Sequence, residues 1–117
     1  MSPSAADDEF WEAAVPLLDR PGVTRSTMMG YPCLRLHGDF FASWDPYLHA
    51  LVVKLDRQTV TALVADGLGE PFAPSGRAFR EWISIPPSER ESWPERLDAA
   101  FDCAVERAAT PRVKRAR

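Results

Sequence analysis

Few residues in this 117-residue chain are equipped for covalent or metal chemistry: two cysteines, Cys33 and Cys103, and two histidines, His37 and His49. Cys33 and His37 are the closest pair. A thiol beside an imidazole is the pattern of a thiolate nucleophile, and a thiol with two imidazoles begins a zinc site. Four residues along an extended strand, however, separate these two side chains by about 13 Å. They meet only if the backbone folds back between them. His49 falls in a loop within reach of either, yet a four-ligand set is not evident. The expectation is therefore no metal, no cofactor and no catalytic cysteine, with Cys33 a small half-buried side chain. A small-ligand or enzymatic site on Cys33, His37 or His49 stands as an alternative.

The carboxylates read as structural. Glu95, Asp98, Asp102 and Glu106 recur at helical spacing opposite an apolar stripe, which marks a solvated face. Asp7, Asp8, Glu9 and Glu12 complement a helix N-terminus. "GLGEPF" holds Gly67 and Gly69 but lacks the lysine of a phosphate loop and the glycine spacing of a dinucleotide site. Gly67 is better placed as a helix terminator. No helix-turn-helix or zinc-finger pattern is present. A non-enzymatic protein is the reading that results.

What remains is a set of cations interleaved with rings: Arg35, Lys54 and Arg80 with Phe41 and Trp82. On one sheet face such a set stacks bases and holds phosphates. It equally suits a homodimer or another protein contact, where aromatics and arginine are favoured, and loops or chain ends covering the face are the inert case. Four of the 14 basic residues, Arg112, Lys114, Arg115 and Arg117, crowd the last six positions. They are able to neutralise phosphates, although such ends are commonly disordered. The remaining ten cations face 17 acidic residues, a balance of −7 that disfavours nucleic acid.

Positioning this set requires a sheet. Ser4 is placed to cap a first helix that buries Phe10, Ala14, Leu17 and Leu18, with a late kink at Pro16. Strands are expected at Val23–Met29, Leu34–Leu36, Phe40–Trp44 and Leu51–Leu55. Asp56 then caps a helix carrying Val60, Leu63 and Val64 that ends at Gly67, and Arg77–Ile85 forms a further strand. Ser92 and Glu95 match a capping box for a last helix with Leu97, Ala100, Phe101, Ala104, Val105 and Ala108 on one side. The order α-β-β-β-β-α-β-α predicts a two-layer α+β fold, with an antiparallel sheet of about five strands and three helices on one face.

The segment "MMGYPCLRLHGDFFASW" decides which residues face outward. A two-residue turn at Gly38–Asp39 mixes both faces. A three-residue loop, His37–Gly38–Asp39, pairs Leu36 with Phe40 and gathers Leu34, Leu36, Phe40, Ala42 and Trp44 on one face. If Trp44 pairs with Leu51, then Leu51, Val53 and Leu55 join them. Each large apolar side chain fully buried contributes roughly 1.5–3 kcal/mol, so the register with one greasy face is preferred. It leaves Cys33, Arg35, Phe41, Ser43, Val52 and Lys54 outside, with Arg80, Trp82 and Ser84.

At 45% hydrophobic and 26% charged the composition is that of an ordinary globular chain. No apolar run approaches the roughly 20 residues of a membrane span. The acidic N-terminal stretch does not resemble a secretory signal. A cytoplasmic protein with both thiols reduced is expected, with residues 1–109 as one domain and 110–117 as a basic, disordered tail.

The order of several loose motifs resembles the small TfoX/Sxy N-terminal-like and MmcQ/YjbR-like proteins. The motifs are Met29–Gly30, then Gly38 followed by Phe41 and Ala42, then a strand ending in Lys54. Gly69–x–Pro71–Phe72 and the strand Ile83–Ile85 running into Pro86 complete them. The resemblance spans roughly Val23 to Ala104. It implies a two-layer α+β fold and a DNA-binding or regulatory role, and it brings no catalytic signature to transfer. The second domain of full-length TfoX proteins has no counterpart in this chain.

Overall fold

The computed structural model describes residues 5–28, 31–73, 76 and 79–109. Ser4, Met29, Gly30, Arg77 and the tail cations Arg112, Lys114, Arg115 and Arg117 lie outside the described residues.

The fold is α+β: the described residues form three helices and a six-stranded antiparallel sheet. Helix α1 (Ala5–Ala14) tightens into a 3₁₀ turn, Val15–Asp19, where Pro16 cannot donate to the α-helical ladder. Strands β1 (Val23–Met28), β2 (Tyr31–Leu36), β3 (Asp39–Asp45) and β4 (Ala50–Lys54) form a meander. Helix α2 (Arg57–Ala65) follows, then the short β5 (Glu70–Pro71) and β6 (Trp82–Ile85). A 3₁₀ turn, Pro87–Ser92, leads into α3 (Trp93–Ala109). The spatial order is β1-β2-β3-β4-β6-β5, so β6 returns beside β4 and β5 forms the edge.

Both ends of α2 are fixed by local chemistry. Asp56 accepts from the Thr59 amide at 3.0 Å and from its hydroxyl at 2.7 Å, as an N-cap should. At the other end Gly67 takes φ +76. There the Leu68 amide donates to the Leu63 carbonyl (2.9 Å) and the Gly67 amide to the Val64 carbonyl (3.1 Å), the paired bonds of a Schellman ending.

Side chains from all three helices fill one face of the sheet. Phe10, Trp44 and Trp93 form its aromatic centre, with Trp44 edge-on to Trp93 at 5.5 Å between centroids. Leu34, Leu36, Leu51, Val53, Leu55, Ile83 and Ile85 supply the strand contribution.

Four expectations need correction. The strand expected at Arg77–Ile85 is β6, Trp82–Ile85, because the chain turns at Phe79–Glu81: the Trp82 amide donates to the Phe79 carbonyl. The capping box is replaced by the 3₁₀ turn, and the Ser92 hydroxyl donates back to the Glu89 carbonyl at 2.7 Å. Val105 and Ala108 are exposed, since α3 buries only Trp93, Leu97, Ala100, Phe101 and Ala104. The fourth correction is the β2–β3 hairpin.

That hairpin turns at His37–Gly38, with Leu36 opposite Asp39. Both turn residues have positive φ (+52 and +92), the handedness that matches the twist of the strands. Arg35 then faces Phe40 while Leu34 faces Ala42. Phe41 is the extra residue of a β-bulge between these pairs. The bulge resolves the conflict between a tight turn and a single apolar face. Beyond it, Leu34 pairs with Ala42 and Trp44 with Leu51, as the buried face requires. At the bulge the two phenylalanines exchange roles relative to expectation. Phe41 is fully buried against Phe101 (6.1 Å), and Phe40 turns outward beneath Arg35. Leu34 and Phe40 therefore stand on opposite faces.

Candidate nucleic-acid interface

The face turned away from the helices consists of rows running across the strands. One row, Cys33–Ser43–Val52–Ser84, is paired strand by strand. These short side chains are almost out of solvent, at 0%, 9%, 2% and 6% exposure. The expected open platform is thus closed along its middle.

The next row, toward the β2–β3 turn, is half-exposed and carries Arg35, Phe40, Lys54 and Trp82. Arg35 faces Phe40, and Lys54 faces Trp82. The Arg35 guanidinium carbon lies 4.3 Å from the Phe40 ring centroid, and its Nε is buried without a hydrogen-bond partner. The Lys54 ammonium approaches Glu81 at 4.0 Å, a loose pair between partly exposed side chains. Trp82 is backed by Phe72, whose ring centroid is 6.3 Å away and whose other neighbour is Phe79 at 5.9 Å.

Trp82 separates two grooves. On one side, Asp39, Phe40, Lys54, Trp82 and Arg107 enclose about 330 Å³. On the other, Arg57, Val60 and Val64 of α2 face Phe79, Arg80 and Trp82 across about 390 Å³. Cations thus flank the indole on both sides.

Of the residues singled out from sequence, the structure brings Arg35, Lys54 and Trp82 into one row. Arg80 is exposed and belongs to the second groove. Phe41 is excluded from any surface by its burial in the core, and Phe40 takes its place. Arg112, Lys114 and Arg115 fall outside the described residues, but α3 runs its last turn, with Arg107, to this end of the sheet. Sequence reasoning missed Phe40, Arg107 and Arg57. Their positions follow from a bulge, from where the last turn of α3 lies, and from the packing of α2 against β5–β6, none of which has a local sequence signal.

Cys33 is fully buried rather than half-buried. Burial pushes its thiol up, against smaller lowering effects from a Ser26 hydrogen bond and the Arg35 charge. A raised, buried thiol is the opposite of an activated nucleophile. His37 is exposed in the turn and His49 in the β3–β4 loop. Among the described residues no group of three or more His, Cys, Asp or Glu is arranged to hold a metal. Glu95, Asp98, Asp102 and Glu106 line the exposed side of α3. Asp98 reaches Arg20 at 3.8 Å. No helix among the described residues is long and apolar enough to cross a membrane.

No family model, no curated protein and no solved structure matches this chain.

Proposed function

We propose that this protein is a non-enzymatic, cytoplasmic binding module of the TfoX/YjbR-like kind that holds DNA on its outer sheet face. One observation carries the reading: Arg35, Phe40, Lys54 and Trp82 lie on neighbouring strands as one half-exposed row at the edge of the outer sheet face. Cations set among rings supply what a flexible strand needs, charge for its phosphates and flat surfaces for its bases. Rings offer less to an intact duplex, whose base faces are already stacked. The acidic balance of the rest of the chain keeps general affinity low, so binding depends on this row and on the tail cations.

The test is a salt-titrated anisotropy assay with labelled single-stranded and duplex DNA. Replacing Arg35 or Lys54 by alanine should weaken binding and flatten the dependence of log K on log salt by about 0.7–0.9 per lost phosphate contact. Trp82→Ala should cost about 1–3 kcal/mol if a base stacks on the indole. Absence of binding at low salt, or indifference to all three replacements, refutes the reading. Sedimentation on the same samples separates the rival role of this face: a concentration-dependent dimer that Trp82→Ala abolishes makes the row a homodimer contact instead.

A further inference from the structure

The α3 residue Arg107 has no part in the reading above, yet its Nη2 is buried with no hydrogen-bond partner. It sits in the last helical turn, where a cation is favoured by the helix dipole. The dipole explains the charge. It does not explain why the side chain lines a groove beside Lys54, Phe40 and Trp82. A buried charged donor without a partner is costly, and such atoms in folded proteins call for a water, an ion or a ligand.

We infer that the groove between Phe40 and Trp82 is a site for one phosphorylated aromatic group, a nucleotide unit, with its phosphate on Arg107 and Lys54. The groove's volume of about 330 Å³ is within the range of small-ligand sites. Its walls supply two rings for a planar base and two cations for a phosphate, and a guanidinium fork is suited to phosphate oxygens. Lys54 is available, because its Glu81 partner is exposed and 4.0 Å away. Asp39 is the one carboxylate on the lining and is exposed, so solvent screens its opposition to an anion. The nucleotide unit is either free or the phosphorylated end of a strand. The inference rests on the DNA reading for its ligand class, but Arg107 distinguishes it.

The experiment is an NMR titration of the full chain, following the Trp82 indole N–H, with deoxyadenosine monophosphate, deoxyadenosine and inorganic phosphate as probes. The monophosphate should bind about tenfold more tightly than the nucleoside, and Arg107→Gln or Lys54→Gln should remove about tenfold. Arg107→Lys, which keeps the charge and the fold, should lie between, and Asp39→Asn should strengthen binding. A terminally phosphorylated oligothymidylate that outbinds its hydroxyl form in an Arg107-dependent way assigns the site to strand ends. Monophosphate binding without that preference assigns it to free nucleotide. Equal affinity for monophosphate and nucleoside, or monophosphate affinity unchanged in Arg107→Gln and Lys54→Gln, overturns the inference. DNA binding that persists in that case leaves the broader reading standing. Monophosphate binding by a chain that binds no DNA overturns only the broader reading.

Discussion

Arg35 on β2 lays its guanidinium over the Phe40 ring on β3, 4.3 Å from carbon to centroid, while the adjacent Phe41 is wholly buried against Phe101. Two consecutive phenylalanines thus serve opposite faces of the sheet. Opposite faces for neighbours are ordinary strand alternation; the β-bulge lets Phe41 and the next residue, Ala42, share the buried face, which leaves Phe40 outside beside Arg35.

Truncating the two rings should therefore have unequal effects. Phe41→Ala should destabilise the fold by about 3–5 kcal/mol, the usual cost of removing a buried ring. Phe41→Leu, which refills most of the space, should cost much less. Phe40→Ala gives up an exposed cation–π contact and should cost about 0.5–1 kcal/mol. Urea unfolding measures all three, and equal losses for the two alanine variants would place the bulge elsewhere.

The two cysteines should differ in reactivity. Cys33 is at 0% exposure with its thiol pushed up by burial, whereas Cys103 is partly exposed on α3. Native protein treated with an aromatic disulfide reagent should release one equivalent quickly, from Cys103, and the second only on unfolding. Fast modification at Cys33, mapped by mass spectrometry, would reopen the possibility of a reactive thiol.

Asp56 links stability to pH. The Thr59 hydroxyl and amide hold its carboxyl below the usual range. A depressed folded value stabilises the fold above the unfolded value of about 3.9 and ceases to do so as pH falls through the folded one. Asp56→Ala should cost about 1 kcal/mol at neutral pH, and the gap from the parent chain should narrow in acid. Denaturant midpoints of the two chains across this range test it, and a gap that stays constant would mean that the cap acts without its charge.

The sequence was legible where a short motif decides a local shape. Asp56 and Gly67 bracket α2, Pro16 interrupts α1, and alternation in Leu51–Leu55 marks a strand. The buried face was legible as well, because the three-residue loop read from the sequence and the observed two-residue turn with its bulge both bring Leu34, Ala42, Trp44 and Leu51 onto it. What the sequence hid is non-local. A two-residue turn with a bulge and a three-residue loop bury the same residues beyond Ala42 and differ only at Phe40 and Phe41. The exposure of Val105 and the presence of Arg107 beside Lys54 both depend on how α3 is laid on the sheet, which is a tertiary relationship.

The central claim is that DNA lies along Arg35, Phe40, Lys54 and Trp82. Photo-crosslinking to a bromouracil-substituted single strand, with the attached residue located by mass spectrometry, tests it most directly. Attachment to Trp82 or Phe40, suppressed by Arg35→Ala and Lys54→Ala, is the expected result. Attachment to Trp11, which packs against Phe10 on the helical side, or to Tyr47 at the far end of the sheet with neither ring in the row labelled, would contradict the account.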